Sequence, residues 1–193
     1  MRCRRSASRA KKLAEECSSL KLEYGSGPKQ GSGDWVTLDI CKGADLCWNL
    51  DRGLPFPDAS LDAVYSSHVH EHFDTWENEV LLRECYRVLK PGGSFSAAVP
   101  DASIFIQAYL KGGGIDLGTL YKPGLNYHTP IDLINYTAYL GNQHRHLFDE
   151  ENFLALLREA GFVEARGRDF DPALDLEKRR WESLHVEAMK PSR

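Results

Sequence analysis

Seven short apolar runs, each closed by glycine, proline or a polar cluster, restrict the fold of this chain more than any other feature. Residues 20–24 alternate Leu20, Leu22 and Tyr24 and stop at Gly25-Ser26-Gly27-Pro28, and residues 35–40 read W-V-T-L-D-I. Residues 44–50 form a weaker third run, 63–66 a fourth, and 94–99 a fifth that ends at Pro100-Asp101. Residues 162–168 and 184–188 are two late ones. Between the fourth and fifth, residues 76–89 carry Val80, Leu81, Cys85, Val88 and Leu89 at helical spacing, and Lys90-Pro91-Gly92-Gly93 follows as a helix stop. Helical patterns recur at 103–110, 131–140 and 149–160, the last stopped by Gly161. Strand-like and helix-like stretches in alternation predict βαβ units in one α/β domain.

Composition narrows the class. At 193 residues, with 42% hydrophobic and 27% charged, the chain can bury a full core without metals or disulfides. No apolar run reaches the roughly 18 residues that span a membrane. The 24 basic and 28 acidic residues give −4, which argues against a nucleic-acid-coating protein. Cys3, Cys17, Cys41, Cys47 and Cys85 are odd in number and form no C-x-x-C pair, a pattern that favours a reducing, cytoplasmic setting. Arg2, Arg4, Arg5, Arg9, Lys11 and Lys12 all precede the first acid, Glu15, so residues 1–19 read as a basic tail running into a short helix near 9–18. Such a start is also compatible with organelle targeting or an acidic partner. Residues 20–193 form the domain proper, and the glycine-rich 111–148 stretch is expected to cover its substrate side.

Several residues at predicted strand ends suit a ligand. Gly25-Ser26-Gly27 ends the first strand where bare backbone can approach a bound molecule. No third glycine follows at dinucleotide spacing and no Gly-Lys-Ser/Thr follows, so neither a dinucleotide fingerprint nor a P-loop is present. Asp39 ends the second strand, where a carboxylate accepts hydrogen bonds from ribose hydroxyls, and Asn49-Leu50 end the third. These segments, with L-P-F-P-D at 54–58, residues 61–73, R-V-L-K-P-G-G at 87–93 and H-R-H-L-F-D-E-E-N-F at 144–153, resemble the class I S-adenosylmethionine-dependent methyltransferases, the type-11 methyltransferase domain in particular.

The resemblance covers residues 20–190 and implies a Rossmann-like fold: a seven-stranded, mostly parallel sheet with an antiparallel last strand and helices on both faces. It implies S-adenosylmethionine as cofactor, with Gly25, Ser26 and Gly27 near its methionine part, Asp39 at the ribose, Asn49 and Leu50 at the adenine, Ser67 and His68 near the donor methyl, and Ile40 among the cofactor-binding residues. Only seven residues separate Gly27 from Trp35, too few for a first crossover helix.

His68, His70 and His72 alternate, with Glu71 between the last two, and His144 and His146 precede the last helix. If 68–72 stays extended, the three histidines share a face and Glu71 points away, so no metal is expected. His72 and His144 are instead the candidate general bases for a hydroxyl acceptor. Tyr109, Tyr121, Tyr127, Tyr136, Tyr139 and Trp76 suit the cover of a sugar or flat small molecule. The expected activity is methyl transfer to a small-molecule or saccharide hydroxyl. The alternatives are a non-catalytic cofactor-binding partner and an enzyme that engages protein or nucleic acid through its basic N-terminus. The oligomeric state is not legible in the sequence.

Overall fold

The first three strands each pair with a neighbour and bury apolar side chains. β1 (Lys21–Tyr24) buries Leu22 and Tyr24, β2 (Trp35–Asp39) buries Thr37 and Leu38, and β3 (Leu46–Cys47) buries Leu46. β4 (Leu61–Ser67), β5 (Leu89–Pro100), β6 (Val163–Gly167) and β7 (Ser183–Met189) complete one sheet in the order β3-β2-β1-β4-β5-β7-β6. The computed structural model in which this is seen describes residues 2–31 and 33–192. β1 to β5 run parallel, and β7 is antiparallel to both β5 and β6. Strand order reverses between β1 and β4, and the crevice at their carboxyl ends is where an open parallel sheet receives ligands.

Among the described residues no helix joins β1 to β2, as the short spacing predicts. The connection is a polar knot instead. Oδ2 of Asp45 accepts from the Gly31 amide at 2.8 Å, the Thr37 amide at 3.1 Å and the Thr37 hydroxyl at 3.0 Å. The third strand is shorter than its sequence run, because Asn49 caps a 3-10 turn over Leu50–Arg52 and takes the chain out of the sheet.

The helices differ from expectation in three places. The basic start is no free tail: α1 (Arg2–Glu16) docks on β3 and buries Ala10 in the main core, with Leu13, Ala14 and Cys17 packed beside it. The side chains of Arg2, Cys3 and Arg4 lie outside the described set. In α2 (Thr75–Val88) the inward stripe is Asn78, Leu81, Leu82, Cys85 and Val88, while Val80 and Trp76 face solvent. Asp74 and Glu77 close a capping box at its start. The Lys90-Pro91-Gly92-Gly93 stop is a bulge within β5, since Leu89 pairs with Leu61 and the ladder resumes at Ser94 with Ala63. Gly92 takes φ +76°, which glycine tolerates without a Cβ clash.

α3 (Ala102–Leu110) and α4 (Ile131–Tyr139) pack on each other around Phe105, Ala108, Leu120, Leu133 and Tyr136. This second cluster stands apart from the core under the sheet, which α2 and α5 (Glu150–Glu159) help to fill. The stretch before β7 is pinned to the sheet by Asp175. Its carboxylate accepts from Arg168 at 2.6 and 2.8 Å, from the Tyr65 hydroxyl at 2.9 Å and from the Asp171 amide at 2.8 Å. Among the described residues, Cys17, Cys41, Cys47 and Cys85 are free thiols, and no helix is long and apolar enough to cross a membrane.

Candidate functional site

Two cavities open at the carboxyl edge of the sheet and meet at His68 and His72. The smaller, about 290 Å³, is a groove lined by Gly25, Asp39, Ile40, Trp48, Asn49, Leu50, His68, Val69, His72 and Phe73. Six of the nine residues singled out for a cofactor therefore lie along it: Gly25, Asp39, Ile40, Asn49, Leu50 and His68. Ser26, Gly27 and Ser67 do not line it. The hydroxyl of Ser26 turns back onto the Gly27 carbonyl at 3.1 Å, and Ser67 receives Arg179 at its carbonyl (3.0 Å) and its hydroxyl (3.3 Å). Trp48, Val69 and Phe73 were not anticipated. Their signal was simply an apolar residue within a few positions of a predicted strand end.

Asp39 is half-buried, and its carboxylate already has backbone partners. Oδ2 accepts from the Gly27 amide and Oδ1 from the Cys41 amide, each at 2.8 Å. Burial raises its pKa, yet these backbone donors outweigh burial and hold the carboxyl below the usual range. A carboxylate offers about four lone-pair positions, so two remain for a ligand's hydroxyls. Asn49 is similarly engaged, since its Oδ1 accepts from the Asp51 amide and its Nδ2 donates to the Asp51 carboxylate. Next to Asp39, Ile40 is 70% exposed and shares the groove with Leu50 and Phe73.

Gly25 has φ +65°, and a Cβ there would collide with Cγ2 of Val69. The glycine is thus demanded by the protein's own packing, before any ligand arrives. A Cβ at Gly27 would meet nothing within contact distance.

The larger cavity, about 450 Å³, combines His68, Glu71, His72, Gln143 and His144 with Phe105, Tyr121, Tyr136, Leu140, Lys178, Arg179 and Glu182. Of the aromatic residues suspected of covering a site, Tyr121 and Tyr136 line it; Tyr109, Tyr127 and Tyr139 do not. Trp76 lines a separate shallow cleft along α2 with Leu50 and Val80.

The histidines separate into two groups. His70 is fully buried, with Nδ1 donating to Asn78 Oδ1 at 2.7 Å and Nε2 accepting from the Tyr24 hydroxyl at 2.6 Å. Burial lowers its pKa to about 4, so it stays neutral and ties β1 to α2. Residues 70–72 form a 3-10 turn rather than an extended run, and this overturns the expected arrangement of side chains. Glu71 does not point away. Its Oε1 lies 3.7 Å from His68 Nδ1 and 3.9 Å from His72 Nε2, and its ligand atoms, with those of His72 and His144, fall within 4.8 Å of one another.

The loop after α4 holds this group together. The Glu71 carbonyl accepts from the Arg145 amide at 2.8 Å and the His146 amide at 3.2 Å, while Arg145 pairs with Asp74 and Glu77. His72 and His144 rings meet edge to face at 5.2 Å. Burial pushes the Glu71 carboxyl up to about 8 and lowers the pKa of His144 despite its backbone hydrogen bond. His68, turned out of β4 at φ +55°, is held well below its usual pKa by burial and by Arg179 nearby.

A family model described as a methyltransferase domain matches residues 31–97. Among curated proteins, one described as a probable S-adenosylmethionine-dependent methyltransferase, from Mycolicibacterium smegmatis, is 30% identical over 115 residues, which are 60% of this chain and 39% of that protein. The ubiquinone/menaquinone biosynthesis C-methyltransferase of Desulfotalea psychrophila is 30% identical over 173 residues, 86% of this chain and 61% of that one. The chain thus spans less than two thirds of the length of these relatives. Among solved structures, an S-adenosylmethionine-dependent methyltransferase from Mesorhizobium loti superposes with a TM-score of 0.56 at 22% identity, over 88% of this chain and 90% of that one. The 1,6-didemethyltoxoflavin-N1-methyltransferase of Burkholderia thailandensis, with bound S-adenosylhomocysteine, gives 0.55 at 14% identity, over 98% and 78%.

Proposed function

Since the chain belongs to the class I S-adenosylmethionine-dependent methyltransferases, we propose that it transfers a methyl group from S-adenosylmethionine to a hydroxyl of a small molecule or saccharide held in the larger cavity. The observation that carries this reading is the junction: a groove suited to a nucleoside opens at His68 and His72 onto a second cavity large enough for a small acceptor.

The groove's own features fit the donor. Ile40, 70% exposed beside a carboxylate with spare lone pairs, gives an apolar face for adenine next to an acceptor of ribose hydroxyls. In this reading Asp39 holds the ribose, and Ile40, Asn49, Leu50 and Phe73 frame the base. Gly25, Ser26 and Gly27 border the methionine part, and Ser67 and His68 border the methyl end. The donor supplies a sulfonium methyl, so that an acceptor oxygen forms its bond to carbon as the carbon–sulfur bond breaks and its electron pair returns to sulfur.

The protein's part is position and proton. Aromatic Phe105, Tyr121 and Tyr136 give the acceptor flat surfaces, while Lys178, Arg179 and Glu182 give it polar ones. Nδ1 of His72 and Nδ1 of His144 each commit a hydrogen to a backbone carbonyl, so in the neutral form of either ring Nε2 is the atom left to accept the hydroxyl's proton.

Thermal-shift titration with S-adenosylmethionine and S-adenosylhomocysteine tests the donor half, and both are expected to raise Tm. Asp39→Ala should weaken either by roughly 1–3 kcal/mol in calorimetry. No Tm response to either compound would overturn the reading. Binding without turnover on any hydroxyl acceptor would favour a non-catalytic partner instead.

A further inference from the structure

The junction between the two cavities gathers three imidazoles around one buried carboxyl group. His72 Nδ1 lies 2.9 Å from the Gln143 carbonyl oxygen, and His144 Nδ1 lies 2.8 Å from that of Thr137. A carbonyl oxygen can only accept, so each Nδ1 carries a hydrogen, and in the neutral ring Nε2 is left with a lone pair. The Ser183 hydroxyl gives its hydrogen to the Arg179 carbonyl at 2.7 Å, so it accepts from His68 Nε2 at 2.8 Å. That leaves His68 Nδ1 unprotonated as well, 3.7 Å from Glu71 Oε1. Glu71 is 2% exposed, and among the described residues neither of its carboxyl oxygens is hydrogen-bonded to another residue.

Neutral rings thus present three unprotonated nitrogens around a buried carboxyl group, and the single proton that burial favours on Glu71 can serve only one of them. A buried carboxylate is costly unless something positive answers it. A proton can satisfy one carboxylate–imidazole pair at a time. A divalent ion satisfies the group at once.

We propose that Glu71, His72 and His144 bind a divalent transition-metal ion of the zinc class, with a further coordination position open to the larger cavity. Their ligand atoms already lie within 4.8 Å of one another. A tetrahedral ion with bonds of about 2.0–2.2 Å draws such atoms to roughly 3.4 Å apart, a small contraction for which half-exposed His72 has room. Two imidazoles and one carboxylate form a borderline donor set that prefers zinc-like ions over magnesium or calcium. The Nδ1–H bonds to backbone carbonyls are the outer-shell arrangement that orients imidazoles on a metal.

The ion would use the lone pairs that otherwise accept the acceptor's proton. Histidine is therefore the base in the ion-free protein, and a coordinated hydroxyl sheds its proton more readily in the loaded one. The inference goes beyond methyl transfer and needs neither donor nor acceptor for its test.

Chelator-stripped full-length protein is titrated with Zn²⁺ by calorimetry, and with Co²⁺ by absorption spectroscopy. One ion per chain is expected. Co²⁺ should give visible d–d bands without the near-ultraviolet band of a thiolate ligand. Glu71→Gln and His144→Ala should each weaken Zn²⁺ at least about tenfold, whereas Cys41→Ser with Cys47→Ser should change nothing. Glu71→Gln also removes the buried carboxylate, so it should raise Tm without metal and abolish the Tm rise that Zn²⁺ causes in the parent protein. A retained Tm response to S-adenosylhomocysteine shows that each variant is folded, and it separates failure of this inference from failure of the transferase reading. No bound ion, or binding at parental strength in both ligand variants, overturns the site; a thiolate band lost in the cysteine variants moves the ion to Cys41 and Cys47.

Discussion

Gly25 shows how one residue can satisfy a motif for a reason other than the expected one. Its φ of +65° and the collision of any Cβ with Val69 mean that substitution strains the protein itself. Gly25→Ala should therefore lower stability in the absence of ligand, through left-handed backbone cost and overpacking. Trimming the obstacle tests this: Gly25→Ala with Val69→Ala should be less destabilised than the sum of the single changes by roughly 0.5–3 kcal/mol in urea unfolding. Strict additivity would return the glycine's role to the ligand side. The strand-end positions of Gly25 and Asp39 were legible because strand ends announce themselves through breakers. Glu71 was not legible. Whether it faces the histidines or turns away depends on a 3-10 turn that no periodicity over three residues can signal.

Elements were legible where an apolar stripe and a stop coincided, as in α2 and α5, whose ends fall within about a residue of the pattern. The bulge in β5 was hidden because Pro-Gly-Gly after a helix reads first as a turn. The segment before β7 was also opaque, since an ion pair rather than an apolar stripe holds it. Arg168 is 10% exposed and Asp175 is 1% exposed in that pair, and His185 Nε2 stands 3.6 Å from the same carboxylate. Asp175→Asn should cost roughly 3–5 kcal/mol by leaving the guanidinium buried without its counter-charge. Burial raises the Asp175 pKa, but Arg168 and the Asp171 amide outweigh it and the carboxyl is held low. A pKa lower in the folded than in the unfolded state gives stability that is present above about pH 4 and lost as pH falls through the folded value. Denaturant melts across pH 2–6 should accordingly be shallower below about pH 4 for Asp175→Asn than for the parent. Equal acid limbs would remove this carboxylate from the account.

On the scale of the molecule, the basic N-terminus changes meaning once α1 is seen docked on β3. Deleting residues 1–18 would strip Ala10, Leu13 and Ala14 from the core and lower Tm whatever the acceptor is. Charge alone is the cleaner variable. Neutralising exposed Arg5, Lys11 and Lys12 to Gln should leave Tm and turnover of a small acceptor nearly unchanged. A steep loss of affinity for a polyanion or a protein acceptor in that variant would instead favour a macromolecular substrate. The sheet order carries a consequence for biosynthesis. Among the described residues β6 pairs with β7 alone, and β7 separates it from β5, so β6 has no sheet neighbour until β7 is made. While residues 183–189 are still inside the ribosome, α5 and β6 can rest against the rest of the domain only through side chains. Completion of the sheet is thereby deferred until β7 has been made, and a pause before then would leave β6 as an unpaired edge open to whatever chaperone or neighbouring chain is at hand.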